Sequence, residues 1–364
     1  QTLQARLRQG NGLTRPEIAV ILAYAKLTLK ESLARDVLVE DDYFKRDLFR
    51  YFPSQMQKDF AEDIEAHPLR SSIIATILAN DIINNGGPTF VHRLSEKTGA
   101  SKIEVVRAYI AVRDGFSIAQ LYQQLDALDN KIAGMLQNQL YASVTTMLFD
   151  TTDLFISSGH SRCLPEAQGH GDALAFWVKI LQEARAKLSS GVEALLPNFI
   201  KEILQKKRAF YSSLPLEEKW LEELLLLELA PSLRDIAFIA YKTKSDLRET
   251  AQIYYALMET FRLDLLEQAS DVIPIIDYYD GMALEQANDT IAKALRDMVV
   301  MILEKFPEQE DKLSVWLATD KKSVETTKQR LFSLLEGDLN ISRFTVAAGM
   351  LADLARLSTK DNYR

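Results

Sequence analysis

The sequence has few of the residues that interrupt secondary structure. Its 364 residues include only 14 glycines and 10 prolines. An all-β fold needs a turn every few residues, and turns depend largely on glycine and proline. The low count therefore argues against a sheet-rich protein and favours long helices joined by few loops.

Cysteine and long apolar runs are also scarce. The single cysteine, Cys163, excludes an internal disulfide framework and is typical of a reducing compartment, so we expect a cytoplasmic protein. A membrane-spanning helix needs about eighteen consecutive apolar residues, and no stretch approaches that length. The richest, 221–229, contains three glutamates. We therefore expect no membrane partner, and the sequence shows no signal-peptide pattern.

Excess positive charge is absent as well. The net charge is −8 and the isoelectric point is near 5.3, whereas nucleic-acid-binding domains are usually basic. The densest basic run, 206–208, is short and follows Glu202. This pattern predicts a solvated helix face, and we expect no nucleic-acid partner.

What the sequence does contain is helical periodicity with recognisable helix starts. Thr14 precedes Pro16 and Glu17, which is a capping box with proline in the first turn. Ser101 and Glu104 form a second capping box. Apolar residues then recur at steps of three and four, and no run alternates as a strand does. We predict an all-α, multi-helix bundle-like array with no substantial sheet.

The most loop-like stretch lies near the middle of the chain. Residues 157–172 are rich in glycine, serine and histidine, and this composition predicts a flexible loop or linker. We therefore predict an N-terminal helical unit at 1–156 and a C-terminal helical unit at 173–364.

The two predicted units share an internal sequence similarity at an offset of 145 residues. The matched pairs are Lys97 and Lys242, Thr98 and Thr243, Glu104 and Glu249, Tyr109 and Tyr254, Ala111 and Ala256, Phe116 and Phe261, and Leu121 and Leu266. In both copies a helix ends in an aromatic residue and a short amphipathic helix follows. The pattern favours a duplicated helical unit over chance similarity of two helical segments.

The linker contains the one cluster of potential metal ligands, His160, Cys163 and His170, with Glu166 or Asp172 as a fourth. Structural zinc sites usually have four ligands in closely spaced pairs. Three ligands in a loop are more often accidental. We therefore favour a surface loop over a metal site, and a metal-dependent enzyme built on this loop is the least favoured function.

Motifs of catalysis and nucleotide binding are missing from the sequence. No Gly-x-Gly-x-x-Gly follows a strand, and no phosphate-binding loop is present. We therefore assign no catalytic, cofactor-binding or firm metal-binding residue. The segment Tyr278–Tyr279–Asp280 and the three tryptophans, Trp177, Trp220 and Trp316, are most simply core or packing residues.

One polar cluster stands out on an otherwise apolar helix. Asn80, Asp81 and Asn84 lie at helical steps of one face, and Thr89 follows the Gly-Gly turn that comes next. Buried polar groups need partners. Two interpretations remain open: the cluster caps the following helix and fixes the turn, or it contacts another domain or subunit.

Several segments in order resemble a known family. They are LTRPEIAVILAYAK at 13–26, RYFP at 50–53, IAT-x-LAND at 74–81, GPTF at 87–90 and ALDNK at 127–131. Together they resemble the region just downstream of the catalytic domain in the large bacterial NAD-specific glutamate dehydrogenases. The resemblance is dense over 12–150, weaker over 240–300 and absent over 157–235.

The resemblance implies a parent enzyme that uses NAD to convert L-glutamate and water to 2-oxoglutarate, ammonia and NADH. Such chains are very long, form homo-oligomers and carry their catalytic lysines and glycine-rich turn upstream. Because this sequence starts at Gln1 within a helical pattern, we expect a segment of a longer protein. Its expected role is non-catalytic support of the upstream catalytic domain, of the oligomer or of regulation. The alternative is a free-standing helical interaction module.

Overall fold

The computed structural model describes residues 12–157, 170–189, 192–337 and 340–360. Within these ranges the chain forms α-helices, three short 3-10 helices and no β-strand. The all-α prediction is confirmed. No described helix is both long enough and apolar enough to cross a membrane.

The chain divides into two compact units between Gln182 and Glu183. The helices of unit 1 are α1 (Arg15–Leu33), α2 (Lys45–Arg50), α3 (Ser54–Asp59), α4 (Ala61–Glu65), α5 (Arg70–Gly86), α6 (Phe90–Thr98), α7 (Lys102–Gly115), α8 (Ile118–Asp126) and α9 (Gly134–Ser157). Helix α10 (His170–Ser189) includes the point of division. Because 158–169 lie outside the described residues, the linker and the boundaries drawn from it stay a prediction.

Unit 2 continues with nine helices among the described residues. They are α11 (Asn198–Tyr211), α12 (Glu218–Leu227), α13 (Ala230–Thr243), α14 (Leu247–Thr260), α15 (Leu263–Val272), α16 (Tyr278–Lys305), α17 (Lys312–Thr319), α18 (Lys321–Leu335) and α19 (Ile341–Lys360). The long helix α16 is its centre and packs against α13, α14 and α19.

The predicted helix starts are confirmed by their hydrogen bonds. Glu17 accepts from the backbone amide of Thr14 at 2.7 Å, and Glu104 accepts from that of Ser101 at 2.7 Å. Such boxes satisfy donors that a helix start leaves unpaired. In α1 the predicted apolar stripe reaches the core at Leu29, which is buried where α1 packs against α5.

Helix α5 is longer than the sequence indicated. Two glycines and a proline after Ile83 predict that the helix ends there, but helical hydrogen bonding continues to Gly86. Gly87 then ends it with φ +88°, in the region that favours glycine. Only the second glycine breaks the helix, so Asn84 and Asn85 are helical residues.

The two segments that are similar at an offset of 145 residues also have similar local structure. Helices α7 and α14 have 14 residues each and begin 145 positions apart. Ser117 and Arg262, also 145 apart, both adopt left-handed backbone angles, with φ of 56° and 50°. A new short helix starts directly after each of them. The matching left-handed residues favour a duplicated helical unit over chance similarity of two amphipathic patterns, and duplication stays a prediction.

The prediction that five aromatic residues pack in the core is correct for some of them and wrong for others. Trp177 and Trp316 are buried, as predicted, and Trp220 is half-buried. Tyr278 and Tyr279 are each 75% exposed, so the prediction that they pack in the core is wrong. They occupy the first turn of α16, whose buried residues begin only at Leu284.

Candidate functional site

The polar residue at the centre of the site is Asp81, which α5 places opposite α7. Its Oδ2 atom accepts hydrogen bonds from Arg113 Nη1 at 2.7 Å and from Tyr109 OH at 3.1 Å. Its Oδ1 atom accepts from Asn85 Nδ2 at 2.8 Å, one turn further along α5. The carboxylate therefore joins two helices through three donors.

Arg113 lies between two carboxylates. Its Nε and Nη2 atoms donate to Oδ1 and Oδ2 of Asp114 at 2.8 and 3.0 Å, while Nη1 binds Asp81. The side chain is only 6% exposed. Burial lowers the pKa of the Arg113 guanidinium, but Asp81 and Asp114 outweigh burial and raise it. A buried guanidinium is stable when paired with carboxylates in this bidentate way.

Asp114 connects this pair to the N-terminal part of unit 1. It also accepts hydrogen bonds from Tyr43 OH and from Arg46. Burial raises the pKa of Asp114, but the charge and hydrogen bonds of Arg113 and the bond from Tyr43 outweigh it and lower the pKa. Asp114 is therefore a weak base that holds its neighbours in position.

Asp81, Arg113, Asp114 and Arg46 line a cavity of about 410 Å³ within unit 1. Its charged residues are Arg46, Asp47, Arg50, Asp81, Arg113 and Asp114. The three arginines balance the three aspartates, and each charged group has an opposite charge within 4 Å. The close pairs of Asp81 and Asp114 with arginines favour a role in holding helices together.

Asp47 is the least satisfied member of the cavity. It is 6% exposed, its ion pairs with Arg46 and Arg50 are long at 3.7 and 3.9 Å, and its Oδ2 atom has no hydrogen-bond partner. Burial raises the pKa of the Asp47 carboxyl despite the neighbouring arginines.

The structure separates the four residues of the predicted polar cluster. Asp81 joins the network, whereas Asn80 is half-buried and Asn84 and Thr89 are exposed outside it. Thr89 precedes α6 without a side-chain capping bond. The partners of Asp81 come from α7 and from Asn85, and not from the start of the next helix as the capping interpretation expected.

Sequence reasoning missed Arg113 and Asp114. They are adjacent charged residues at the end of an apolar helix, which usually indicates solvent exposure. Their side chains are only 6% and 9% exposed. The usable signal was that the five residues directly before them, 108–112, are all apolar or aromatic, because a helix buried all round also buries its charges.

The predicted metal candidates are largely outside the described residues. His160 and Cys163 lie in 158–169, and His170 is the first residue of α10. In the described part of the chain, no group of three or more His, Cys, Asp or Glu side chains could hold a metal ion.

Comparison with known proteins identifies the family. Residues 10–353 match the family model described as glutamate dehydrogenase, C-terminal. The match covers most of the sequence, so the chain belongs to this family and the resemblance predicted from its motifs is confirmed.

The relatives are much longer proteins. An NAD-specific glutamate dehydrogenase of Pseudomonas aeruginosa is 28% identical over 362 residues, covering 98% of this chain and 22% of the relative. One of Mycobacterium tuberculosis is 29% identical over 358 residues, covering 97% and 21%. One of Halomonas elongata is 34% identical over 156 residues, covering 43% and 10%. The chain thus spans about a fifth of the length of the first two relatives.

Proposed function

We propose that this chain is the non-catalytic, helical C-terminal region of an NAD-specific glutamate dehydrogenase. In that enzyme L-glutamate, NAD and water give 2-oxoglutarate, ammonia and NADH. The chain supports the upstream catalytic domain and the assembly of the homo-oligomer, and NAD binds outside it. The observation that carries the proposal is the match of 10–353 to the C-terminal part of that family.

The chemistry of the cavity supports a scaffolding role. Its arginines and aspartates are paired with one another, and Asp114 is a weak base because Arg113 and Tyr43 stabilise its charged form. A general base would need a pKa near the working pH and a free approach to substrate. Paired charges that join α2, α5 and α7 instead fix the positions of these helices.

Location and partners follow from the same proposal. A dehydrogenase of soluble metabolites works in the cytoplasm, and the single cysteine of the chain is consistent with that compartment. The partners are then the remainder of the same polypeptide and further copies of it.

The test compares the full-length enzyme with a variant that lacks the region corresponding to 10–353. We expect the shortened enzyme to lose at least tenfold in NADH production, or to change its sedimentation coefficient to that of a smaller oligomer. An enzyme with unchanged rate and unchanged assembly would contradict the proposal. Adding the separate chain back to the shortened enzyme is the matched control, because rescue in trans separates a supporting role from misfolding.

A further inference from the structure

Among the described residues of unit 2, the most exposed apolar side chains lie between the end of α15 and the start of α16. Residues 272–282, here called the knuckle, expose six large side chains by half or more: Val272, Ile275, Ile276, Tyr278, Tyr279 and Met282. Ile276 is 88% exposed. A group of exposed apolar side chains on a folded unit is typical of an interaction site, whereas single exposed apolar residues are not. Tyrosine and methionine are also enriched at protein interfaces.

The backbone of the knuckle is held in place by its own aspartates. Asp277 Oδ1 accepts from the amides of Tyr279 and Asp280 at 2.8 and 2.9 Å and so caps α16. Asp280 Oδ2 accepts from the amide of Ile276 at 3.0 Å. The apolar side chains therefore project from an ordered turn, which reduces the entropy lost when a partner binds.

The sequence around the knuckle is acidic, apart from Arg262, which pairs with the buried Asp264. Residues 263–292 contain seven acidic residues and no lysine or arginine. They are Asp264, Glu267, Asp271, Asp277, Asp280, Glu285 and Asp289. Interfaces pair opposite potentials, and juxtaposed like charges are costly. A protein surface that covers the knuckle must therefore be apolar at its centre and bordered by lysine and arginine.

Two partners can be compared on this basis. A second copy of the knuckle would place acidic borders against each other, which disfavours self-pairing through this surface. About four-fifths of each of the two long-matching relatives lies outside the part that this chain covers. We propose that the knuckle docks onto an apolar surface bordered by lysine and arginine in the remainder of the full-length dehydrogenase. This inference rests on the proposed function and names the contact through which the C-terminal region meets the rest of the enzyme.

The experiment compares oxidation by hydroxyl radicals in this chain and in the full-length enzyme. Tyrosine and methionine side chains report exposure directly, so Tyr278, Tyr279 and Met282 are the probes. We expect all three to be oxidised at least fivefold more slowly in the full-length enzyme. In that enzyme Ile276→Asp should restore the rate seen in the chain. Val346→Asp is the matched control, because Val346 is also exposed in unit 2 but lies outside the knuckle. It should leave the probes protected.

A second arm identifies the occupant. Carbodiimide joins carboxylates to lysine amines in direct contact, and we expect it to join Asp271 to a lysine outside the region matching 10–353. Asp271→Lys should abolish that product and raise the oxidation of Met282. Products with lysines of a second C-terminal region would overturn the proposal and indicate self-association.

The outcomes separate this inference from the proposed function. Equal oxidation in the chain and in the full-length enzyme would overturn the docking proposal. If removal of the whole region still lowered activity, the proposed function would stand. If removal of the region changed neither rate nor assembly, both would fail.

Discussion

Tyr109 and Tyr254 occupy the same place in two related helices 145 residues apart, and each hydroxyl donates to a carboxylate that also binds an arginine. Tyr109 donates to Asp81 at 3.1 Å and Tyr254 to Asp235 at 3.3 Å. Asp235 accepts from Arg296 Nη1 at 3.2 Å. The two carboxylates come from positions that the offset of 145 does not relate. The tyrosine is therefore common to both helices, whereas the carboxylate that it meets comes from a different position in each.

Tyr109→Phe and Tyr254→Phe should each lower the free energy of unfolding by about 1–2 kcal/mol, because each removes a hydrogen bond to a charged group. Chemical denaturation of the three proteins measures the change. The matched control is Tyr51→Phe, since Tyr51 is 62% exposed. Loss of stability only at Tyr109 would mean that the two tyrosines are alike in position but not in role.

Asp81→Asn should destabilise the chain by about 3 kcal/mol, because it removes one of the two carboxylates that compensate the buried Arg113. Asn84→Ala is the control on the same helix and should change stability by less than about 0.5 kcal/mol, since Asn84 is exposed. Equal melting temperatures for wild type and Asp81→Asn would contradict the structural role of the pair. If the full-length enzyme then lost activity while this chain kept its stability, Asp81 would belong to an interdomain contact.

Asp114 should make the chain sensitive to acid. Its pKa is lower in the folded state than the ordinary value, so its contribution to stability is present above about pH 4 and is lost as the pH falls through the folded pKa. Melting curves of wild type and Asp114→Asn between pH 2 and pH 7 test this expectation. The stability difference between them should be largest at neutral pH and shrink in acid.

The contribution of Asp47 to stability should depend on pH in the opposite direction. Burial raises its pKa, so the protonated form is favoured by folding, and the stability that this provides is lost as the pH rises from about 4 through the folded pKa. The stability of Asp47→Asn relative to wild type should therefore increase as the pH rises through this range. Melting curves of both proteins in the same buffers measure the change. If Asp47→Asn instead became less stable relative to wild type as the pH rose, as expected for Asp114→Asn, the arginines would outweigh burial at Asp47.

Gly115→Ala should destabilise unit 1 by about 1–3 kcal/mol, the usual cost of forcing extra atoms into a packed core. A Cβ at Gly115 would lie 2.8 Å from Cβ and Cδ1 of Leu181 on α10. Gly134→Ala is the control, because no atom lies within 4 Å of the added Cβ. It should be neutral or slightly stabilising, because alanine favours helix more than glycine does. Thermal melts of both variants test this expectation. Equal changes in melting temperature would mean that α10 shifts to accommodate the added methyl group without loss of stability.

The isolated chain should bind no NAD with micromolar affinity. The sequence lacks the glycine-rich turn with which dehydrogenases place the pyrophosphate on a helix N-terminus. Calorimetric titration with NAD measures this directly, with the full-length enzyme as positive control. A micromolar dissociation constant for the chain would reveal a nucleotide site of another kind.

The helices could be predicted from sequence because capping and periodicity are local properties. Thr14 with Glu17, and Ser101 with Glu104, identify helix starts without any knowledge of the fold. The end of α5 was misplaced because a glycine at the last helical turn and a glycine that breaks it look alike in sequence. Only the backbone angle of Gly87 distinguishes them.

The site was less predictable because its partners are far apart along the chain. Asp81 could be singled out as a polar residue on an apolar helix, but Arg113 is 32 residues away, and nothing local indicates which charge it meets. The exposure of Tyr278 and Tyr279 was missed for a related reason. Aromatic residues at a helix start predict burial on average, and whether neighbouring helices reach that turn depends on their packing.

The repeat in unit 1 has a consequence for how the chain folds. Helices α6 to α9 follow one another in sequence and pack against one another, so forming them closes only short loops. Contacts of low sequence separation form early and quickly. During synthesis these four helices, with α5 and its Asp81 already made, can emerge and pack before the matching helices α13 to α16 have been translated. Two similar sequences in one chain risk exchanging their helices, and this order of folding protects each copy from the other.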